Sequence, residues 1–115
     1  MLYFATRDER LRQFFGAYFN QDWELDDPDV PSVVDRYARD YEGDELDGES
    51  VIGLLVKDLR WLVETHGNTS SDDLWRITCD QYHSYYNGKY VDQDAHQWLQ
   101  WVAKRLENHL KKQGK

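Results

Sequence analysis

The stretch SVIGLLVKDLRWLVETHGN, residues 50–68, decides the fold because it predicts a long helix with one apolar side. Its apolar residues recur with the 3.6-residue period of an α-helix, at Val51, Ile52, Leu55, Leu59, Leu62 and Val63. His66, Gly67 and Asn68 follow the last of them and are typical of a helix end. We therefore expect a central helix that begins after Ser50 and packs against the rest of the chain.

The N-terminal part of the chain predicts an amphipathic helix over residues 7–19. Thr6 followed by Glu9 forms a capping-box pattern, in which each side chain binds a free backbone N–H of the first helical turn. The apolar residues that follow keep helical spacing, at Leu11, Phe14, Phe15, Tyr18 and Phe19. Four of these five are aromatic, and we expect them to pack against the leucines of the central helix and Trp98.

A second, short helix is predicted between two acidic segments. Asp29 or Ser32 caps it, and Pro31 lies in its first turn, where proline is tolerated. The segments on either side, residues 20–30 and 42–48, are rich in Asp, Glu, Gly and Pro. Both are expected to be irregular loops.

Two helices and one ambiguous segment follow the central helix. Ser70 and Ser71 stand before an acidic first turn, which favours a helix start. Asp92 or Asp94 opens the last helix, whose apolar face is Ala95, Trp98, Leu99, Val102, Leu106 and Leu110. Residues 81–91 combine tyrosines with an Asn-Gly turn and fit either a small hairpin or an extended loop, of which the loop is favoured.

The length and composition fit one helical domain. The chain has 115 residues, of which 40% are hydrophobic and 15% aromatic, and domains commonly have roughly 100 to 150 residues. No strand partner is evident in the sequence. We therefore expect residues 1–115 to form an all-α, single-domain bundle of about five helices, with irregular acidic and tyrosine-rich loops.

Several features of the sequence favour a cytoplasmic protein. No apolar run approaches the ~18 residues of a membrane-spanning helix, and MLYFATRDER, residues 1–10, carries charges where a signal peptide needs an apolar stretch. The single cysteine, Cys79, cannot form an internal disulfide, which fits a reducing compartment. A membrane partner is not expected.

The charge is strongly negative and unevenly distributed. The formal net charge is −8, and residues 20–49 hold 12 acidic and 2 basic side chains, whereas residues 103–115 hold 5 basic and 1 acidic. Direct binding to nucleic acid is disfavoured, because most of such a surface repels phosphates. The acidic stretch is either a solvated loop or a docking surface for a basic partner, and composition leaves both open.

The motifs of metal and catalytic sites are missing or fail in register. With Gly48 at position 6 of an EF-hand loop, positions 1 and 12 fall on Gly43 and Leu54, which cannot bind Ca²⁺ through their side chains. The four histidines show no zinc-site spacing. A Cys79/His83 nucleophile pair is conceivable, but a lone buried thiol is far more often a small apolar residue. We expect no metal, no cofactor and no enzymatic activity.

A more specific signal lies in FFGAYFNQDWEL, residues 14–25. The run GAYFNQDW, residues 16–23, resembles the N-terminal signature of the immunity proteins of contact-dependent growth inhibition (CDI), the CdiI-type family. The similarity continues through a short helix after an acidic connection and a leucine-rich middle helix to Trp98 and Leu99.

The resemblance implies a bacterial, cytoplasmic, non-enzymatic helical protein with a single task. Such a protein binds the C-terminal toxin domain of a large secreted effector in a one-to-one complex and blocks it. These toxins are commonly nucleases, and an RNase is the favoured interpretation here. Because the motif recurs in proteins that face different toxins, Gln21, Asp22 and Trp23 are expected to organise the turn after the first helix, with the specific contacts elsewhere.

The acidic segments are the candidate toxin-binding surface, because a phosphate-binding nuclease presents a basic cleft. The candidate residues are Asp26, Asp27, Asp29, Tyr41, Glu42, Asp44, Glu45, Asp47 and Glu49, with Tyr41 as an aromatic anchor. The sequence shows no requirement of the fold for this concentration of charge. Tyr41 and Trp101 are expected to be exposed contact aromatics.

Two alternatives to an immunity protein remain at this stage. One is a generic acidic helical adaptor for another basic protein, which tight one-to-one binding to a toxin would separate from the first interpretation. The other is a small hydrolase using His83 and carboxylates, which loss of turnover in His83→Ala would support.

Overall fold

The computed structural model describes residues 6–20, 29–46, 48–84 and 94–114. These residues form five α-helices and one short β-hairpin. The helices are α1 (Arg7–Tyr18), α2 (Val30–Asp40), α3 (Val51–Thr65), α4 (Ser71–Tyr82) and α5 (Ala95–Gly114), and the strands are β1 (Glu45–Leu46) and β2 (Glu49–Ser50). The predicted all-α class is confirmed. None of the described helices is both long and apolar enough to cross a membrane.

The helix starts follow local capping rules. Thr6, Ser50 and Ser70 each accept a hydrogen bond from the backbone N–H three residues later, at 3.1, 3.2 and 3.1 Å. Asp29, not Ser32, caps α2, since its carboxylate accepts from the Ser32 N–H at 2.9 Å.

The last helix begins with a reciprocal cap. The Asp94 carboxylate accepts from the Gln97 N–H at 2.7 Å, and the Gln97 side chain accepts from the Asp94 N–H at 3.2 Å. Two orphan donors of the first turn are thereby satisfied. Asp94 is therefore the cap of α5; the other candidate, Asp92, lies outside the described residues.

The core forms where α3 and α5 pack along each other, with α1 against α3 and α4, and α2 against α5. The predicted apolar face of α1 is buried, at Leu11, Phe14, Phe15, Tyr18 and Phe19. Phe15 and Phe19 lie 6.2 and 5.3 Å from the Trp98 ring, centroid to centroid. Three of the four leucines of α3, Leu55, Leu59 and Leu62, are fully buried in the same core, which confirms the predicted packing.

Ion pairs join helices that are distant in sequence. Arg10 of α1 binds Asp58 of α3 through two hydrogen bonds, of 2.6 and 3.0 Å. Asp58 is buried, so the loss of one partner would leave an uncompensated charge in the interior. On the other side of the bundle, Arg105 of α5 binds both oxygens of Asp35 of α2 at 2.8 Å.

Two segments that the sequence predicts to be loops contain some regular secondary structure. The acidic segment 42–48 contains β1, which pairs antiparallel with β2 through Glu45 opposite Ser50 and Leu46 opposite Glu49. The expectation of no strand pairing was therefore wrong here, because two-residue strands are too short to show an alternating pattern. Helix α4 also runs two residues into the segment predicted as hairpin or loop, and it ends at His83, whose φ is +64°. Residues 85–91 lie outside the described residues.

Candidate functional site

We call residues 42–50 the acidic hairpin; all of them except residue 47 are described. Gly43 and Gly48 have φ angles of +80° and +83°, which other residues adopt only at a cost. A hydrogen bond of 3.0 Å from the Val51 N–H to the Asp44 carbonyl joins the base of the hairpin to the first residue of α3. The described part of the hairpin is therefore joined to the start of α3 by a backbone hydrogen bond.

The carboxylates of the hairpin face solvent. Glu42, Asp44, Glu45 and Glu49 are exposed. Glu49 lies 3.3 Å from Lys57, but both side chains are more than half exposed, so this pair contributes little to stability. Within the part of the chain that the structure describes, the other three make no ion pair and no group of side chains suits a metal ion. Glu42, Asp44 and Glu45 therefore carry exposed negative charges that form no ion pair with another described residue.

Tyr41 lies at the start of the acidic hairpin but is only half exposed. Its ring contacts Tyr37, with centroids 4.7 Å apart, and its hydroxyl accepts a hydrogen bond of 3.2 Å from the Gln13 side chain. Trp101 is likewise partly buried, with the Arg105 guanidinium 5.6 Å from its ring centroid. Tyr41 and Trp101 are therefore less exposed than the sequence predicts, since both also pack on the core.

Asp29 lies apart from the hairpin and has a role in the fold. It caps the N-terminus of α2, and the hydrogen bonds from Ser32 lower the pKa of its carboxyl group below the usual value. The hairpin follows the other end of this 11-residue helix, and at 1.5 Å per residue the two acidic regions are about 16 Å apart along its axis. Of the two caps that the sequence allowed for α2, Asp29 is the one used, so this acidic residue serves the fold.

The candidate residues are thus divided into three groups. Tyr41, Glu42, Asp44, Glu45 and Glu49 lie together at the C-terminal end of α2. Asp29 lies at its N-terminal end. Asp26, Asp27 and Asp47, together with Gln21, Asp22 and Trp23 of the signature motif, lie outside the described residues.

Sequence reasoning missed two features beside the hairpin. Asp40, the last residue of α2, is exposed and accepts a hydrogen bond of 2.6 Å from the Tyr18 hydroxyl. A shallow depression next to Glu42 is lined by Arg39, His109 and Lys112, which places basic groups at the edge of the acidic surface. Asp40 could have been included because it adjoins Tyr41 in sequence, whereas Lys112 is brought there only by the packing of α5.

The thiol and histidine considered for catalysis do not form an activated pair. Cys79 is half-buried, and its burial raises the pKa of the thiol, so the reactive thiolate is disfavoured. His83 is exposed at the end of α4. Neither residue has the environment of a nucleophile or its base.

One of the comparisons with known proteins assigns the chain to a family. A family model described as CdiI immunity protein matches residues 7–106, from the start of α1 into the second half of α5. No match was found among the curated proteins or the solved structures compared with this chain. Because the family model covers most of the chain, including the motif at residues 16–23, the chain belongs to the CdiI immunity protein family.

Proposed function

We propose that the chain neutralises the C-terminal toxin domain of a CDI effector by binding it through the acidic hairpin and covering its active site. Membership of the CdiI immunity family implies the neutralisation of a CDI toxin. The observation that carries the finer proposal is the exposed cluster of Glu42, Asp44 and Glu45, which form no ion pair within the described part of the chain. The protein acts in this proposal as an inhibitor with no activity of its own.

The charge of the hairpin favours a nuclease as the target, and an RNase in particular. An enzyme that binds a phosphate backbone presents cationic side chains in its cleft. An acidic surface that enters this cleft competes with the substrate and accelerates association through long-range attraction. A generic acidic adaptor would have the same electrostatics, but the family assignment favours a toxin as the partner.

An interface of typical size would include the acidic residues at both ends of α2. A typical protein interface buries roughly 800 Å² per partner, a patch about 30 Å across. It can therefore extend over the about 16 Å from the hairpin to Asp29. We include Asp26 and Asp27 in the proposed interface because of their charge and their position in the sequence. In this proposal Tyr41 contributes its exposed edge as an anchor, and most of the carboxylates lie at the rim.

The test replaces the hairpin charges. Asp44→Asn, Glu45→Gln, Asp47→Asn and Glu49→Gln together are expected to slow association with the toxin domain at low salt, roughly tenfold or more, and to reduce its salt dependence. The binding partner is the purified C-terminal toxin domain of the cognate CDI effector. Association rates are measured at low and high ionic strength.

A charge-matched variant serves as the control. Glu64→Gln, Asp72→Asn, Asp73→Asn and Asp80→Asn remove four exposed carboxylates from α3 and α4, outside the hairpin. This variant has the same net charge as the hairpin variant, so it should lose only the general contribution of net charge. Equal association rates for the two variants, with both folded, would exclude the hairpin from the interface.

A further inference from the structure

We propose that Tyr18 of α1 is a positioning residue for the acidic hairpin, because it contacts Asp40 and Tyr41, the two residues that directly precede the hairpin. This inference rests on the proposed function only in its consequence for toxin binding. The positioning itself is a property of the free protein and is tested there.

The hairpin has little means of holding its own orientation. Each strand has two residues, and the side chains of Glu45 and Glu49 are exposed. An isolated two-stranded hairpin is at best marginally stable in water. Its orientation must therefore depend on its attachments to the helices at both ends.

One attachment is α3, which begins directly after β2. Ser50 belongs to the hairpin and also caps α3, because its hydroxyl accepts from the Gly53 N–H at 3.2 Å. The Val51 N–H binds the Asp44 carbonyl at 3.0 Å. This end is fixed by backbone and capping bonds.

The other attachment is the end of α2, and it is fixed by side chains of α1. The Tyr18 hydroxyl donates to the Asp40 carboxylate at 2.6 Å, and the Gln13 side chain donates to the Tyr41 hydroxyl at 3.2 Å. Both donors lie on α1, more than 20 residues away in sequence. The first bond joins a buried hydroxyl to a charged acceptor, which makes it the stronger kind.

Ring contacts hold the same region. The Tyr18 ring lies 5.1 Å from Tyr37 and 6.4 Å from Tyr41, centroid to centroid. Burial and the bond to Asp40 raise the pKa of Tyr18, so its hydroxyl remains a proton donor throughout the physiological range.

Tyr41 is in turn hydrogen-bonded to the backbone of the hairpin. The Asp44 N–H donates to the Tyr41 carbonyl at 3.1 Å, across the turn at Gly43. A shift of Tyr41 therefore displaces Asp44, one of the proposed toxin-binding carboxylates. Preorganised in this way, the hairpin loses less conformational entropy on binding.

The experiment compares amide hydrogen exchange in Tyr18→Phe and Tyr37→Phe. Tyr18→Phe keeps the ring and removes the donor, and it is expected to accelerate exchange of the amides of residues 44–51 roughly three- to tenfold, relative to amides in the middle of α3. Tyr37→Phe is the matched control. Its hydroxyl is buried in the same cluster and has no hydrogen-bond partner in the part of the chain that the structure describes, so hairpin exchange should not change. Unchanged exchange of the hairpin amides in Tyr18→Phe would overturn the inference.

Substitutions of the exposed acceptor, Asp40, test the same hydrogen bond without changing the buried side chain of Tyr18. Asp40→Ala removes the acceptor and should accelerate hairpin exchange in the same way, whereas Asp40→Asn keeps an acceptor oxygen and should largely restore protection. If Asp40→Ala leaves the hairpin amides protected, Tyr18 does not position the hairpin.

Binding to the toxin domain separates this inference from the proposed function. Tyr18→Phe is expected to weaken binding roughly threefold or more, in a protein whose hairpin charges are intact. In one outcome, Tyr18→Phe exchanges its hairpin amides faster and yet binds the toxin domain normally, while the four-amide hairpin variant binds poorly. That result would show that the positioning of the hairpin by Tyr18 does not affect toxin binding. If the hairpin variant also binds normally, the proposed interface is wrong.

Discussion

At the scale of single residues, two tyrosines of one cluster have opposite hydroxyl environments. Tyr18 donates a short hydrogen bond to Asp40, whereas the buried Tyr37 hydroxyl has no partner among the described residues. Removing a bonded hydroxyl costs stability, whereas removing an unsatisfied buried one is neutral or favourable. Tyr18→Phe is expected to lower the free energy of unfolding by about 1 to 2 kcal/mol, and Tyr37→Phe to leave it unchanged or raise it. Urea denaturation measures both, and a larger loss for Tyr37→Phe would contradict this assignment.

Asp35 gives a prediction for the pH dependence of stability. Its hydrogen bonds from Arg105, supported by the His109 ring at 2.8 Å, lower the pKa of this carboxyl to about 2. Because the folded pKa lies below the unfolded value of about 3.9, the pair stabilises the protein above that pH, and the stabilisation is lost as the pH falls towards 2. Asp35→Asn is expected to cost about 1 to 2 kcal/mol near pH 7, after allowance for partial exposure, and less near pH 3.

Urea melts of wild type and Asp35→Asn at both pH values provide the measurement. The control is Asp73→Asn, which breaks an exposed pair with Arg76 and should change stability little at either pH. A cost of Asp35→Asn that is equally large near pH 3 would show that the ionised pair is not its source.

The residues that were predictable from sequence are those with local partners. Thr6, Asp29, Ser50 and Ser70 cap helices because each bonds a backbone N–H three residues away, and such spacing is visible in the sequence. Arg10 with Asp58 and Asp35 with Arg105 are 48 and 70 residues apart. These pairs exist only because the helices pack, so no local pattern indicates them.

At the scale of elements, α1 is the helix whose burial can be tested most directly. Phe15 is fully buried between the rings of Phe14, Tyr82 and Trp98. Phe15→Ala is expected to cost about 3 to 5 kcal/mol, because it removes apolar contacts and leaves a cavity. The exposed neighbour Ala17 offers a control on the same helix, and Ala17→Ser should cost less than about 1 kcal/mol. A loss below about 1 kcal/mol for Phe15→Ala in denaturant melts would mean that its ring is not in the core.

The length of an element decides whether the sequence could predict it. Long amphipathic helices such as α3 repeat their apolar residues over several turns, so their existence and faces were predictable. The acidic hairpin has two residues per strand and depends on Gly43 and Gly48 at positive φ and on Tyr41 at its base. A glycine-rich acidic loop and this hairpin have the same composition, so only the structure separates them.

At the scale of the whole molecule, the excess negative charge is larger in one segment than in the chain as a whole. The net charge is −8, while residues 20–49 alone carry −10. Within the described residues, the exposed acidic side chains of this segment lie at the two ends of α2, and the depression beside Glu42 brings Arg39 and Lys112 next to one of them. The segment was recognisable from sequence, but its division and its basic neighbours follow from the packing of α2 on α5 and had no sequence signal.

The central claim is that the whole protein inhibits its toxin by forming a complex, and titration of toxin activity tests it most directly. A fixed amount of the purified toxin domain of the cognate CDI effector is mixed with increasing amounts of the chain, and cleavage of RNA, the proposed substrate, is followed. We expect residual cleavage to fall linearly and to reach its minimum at one equivalent, with no product made by the chain alone. Full inhibition far below one equivalent would show that the chain acts on its toxin catalytically, and undiminished toxin activity at excess chain would contradict neutralisation by binding.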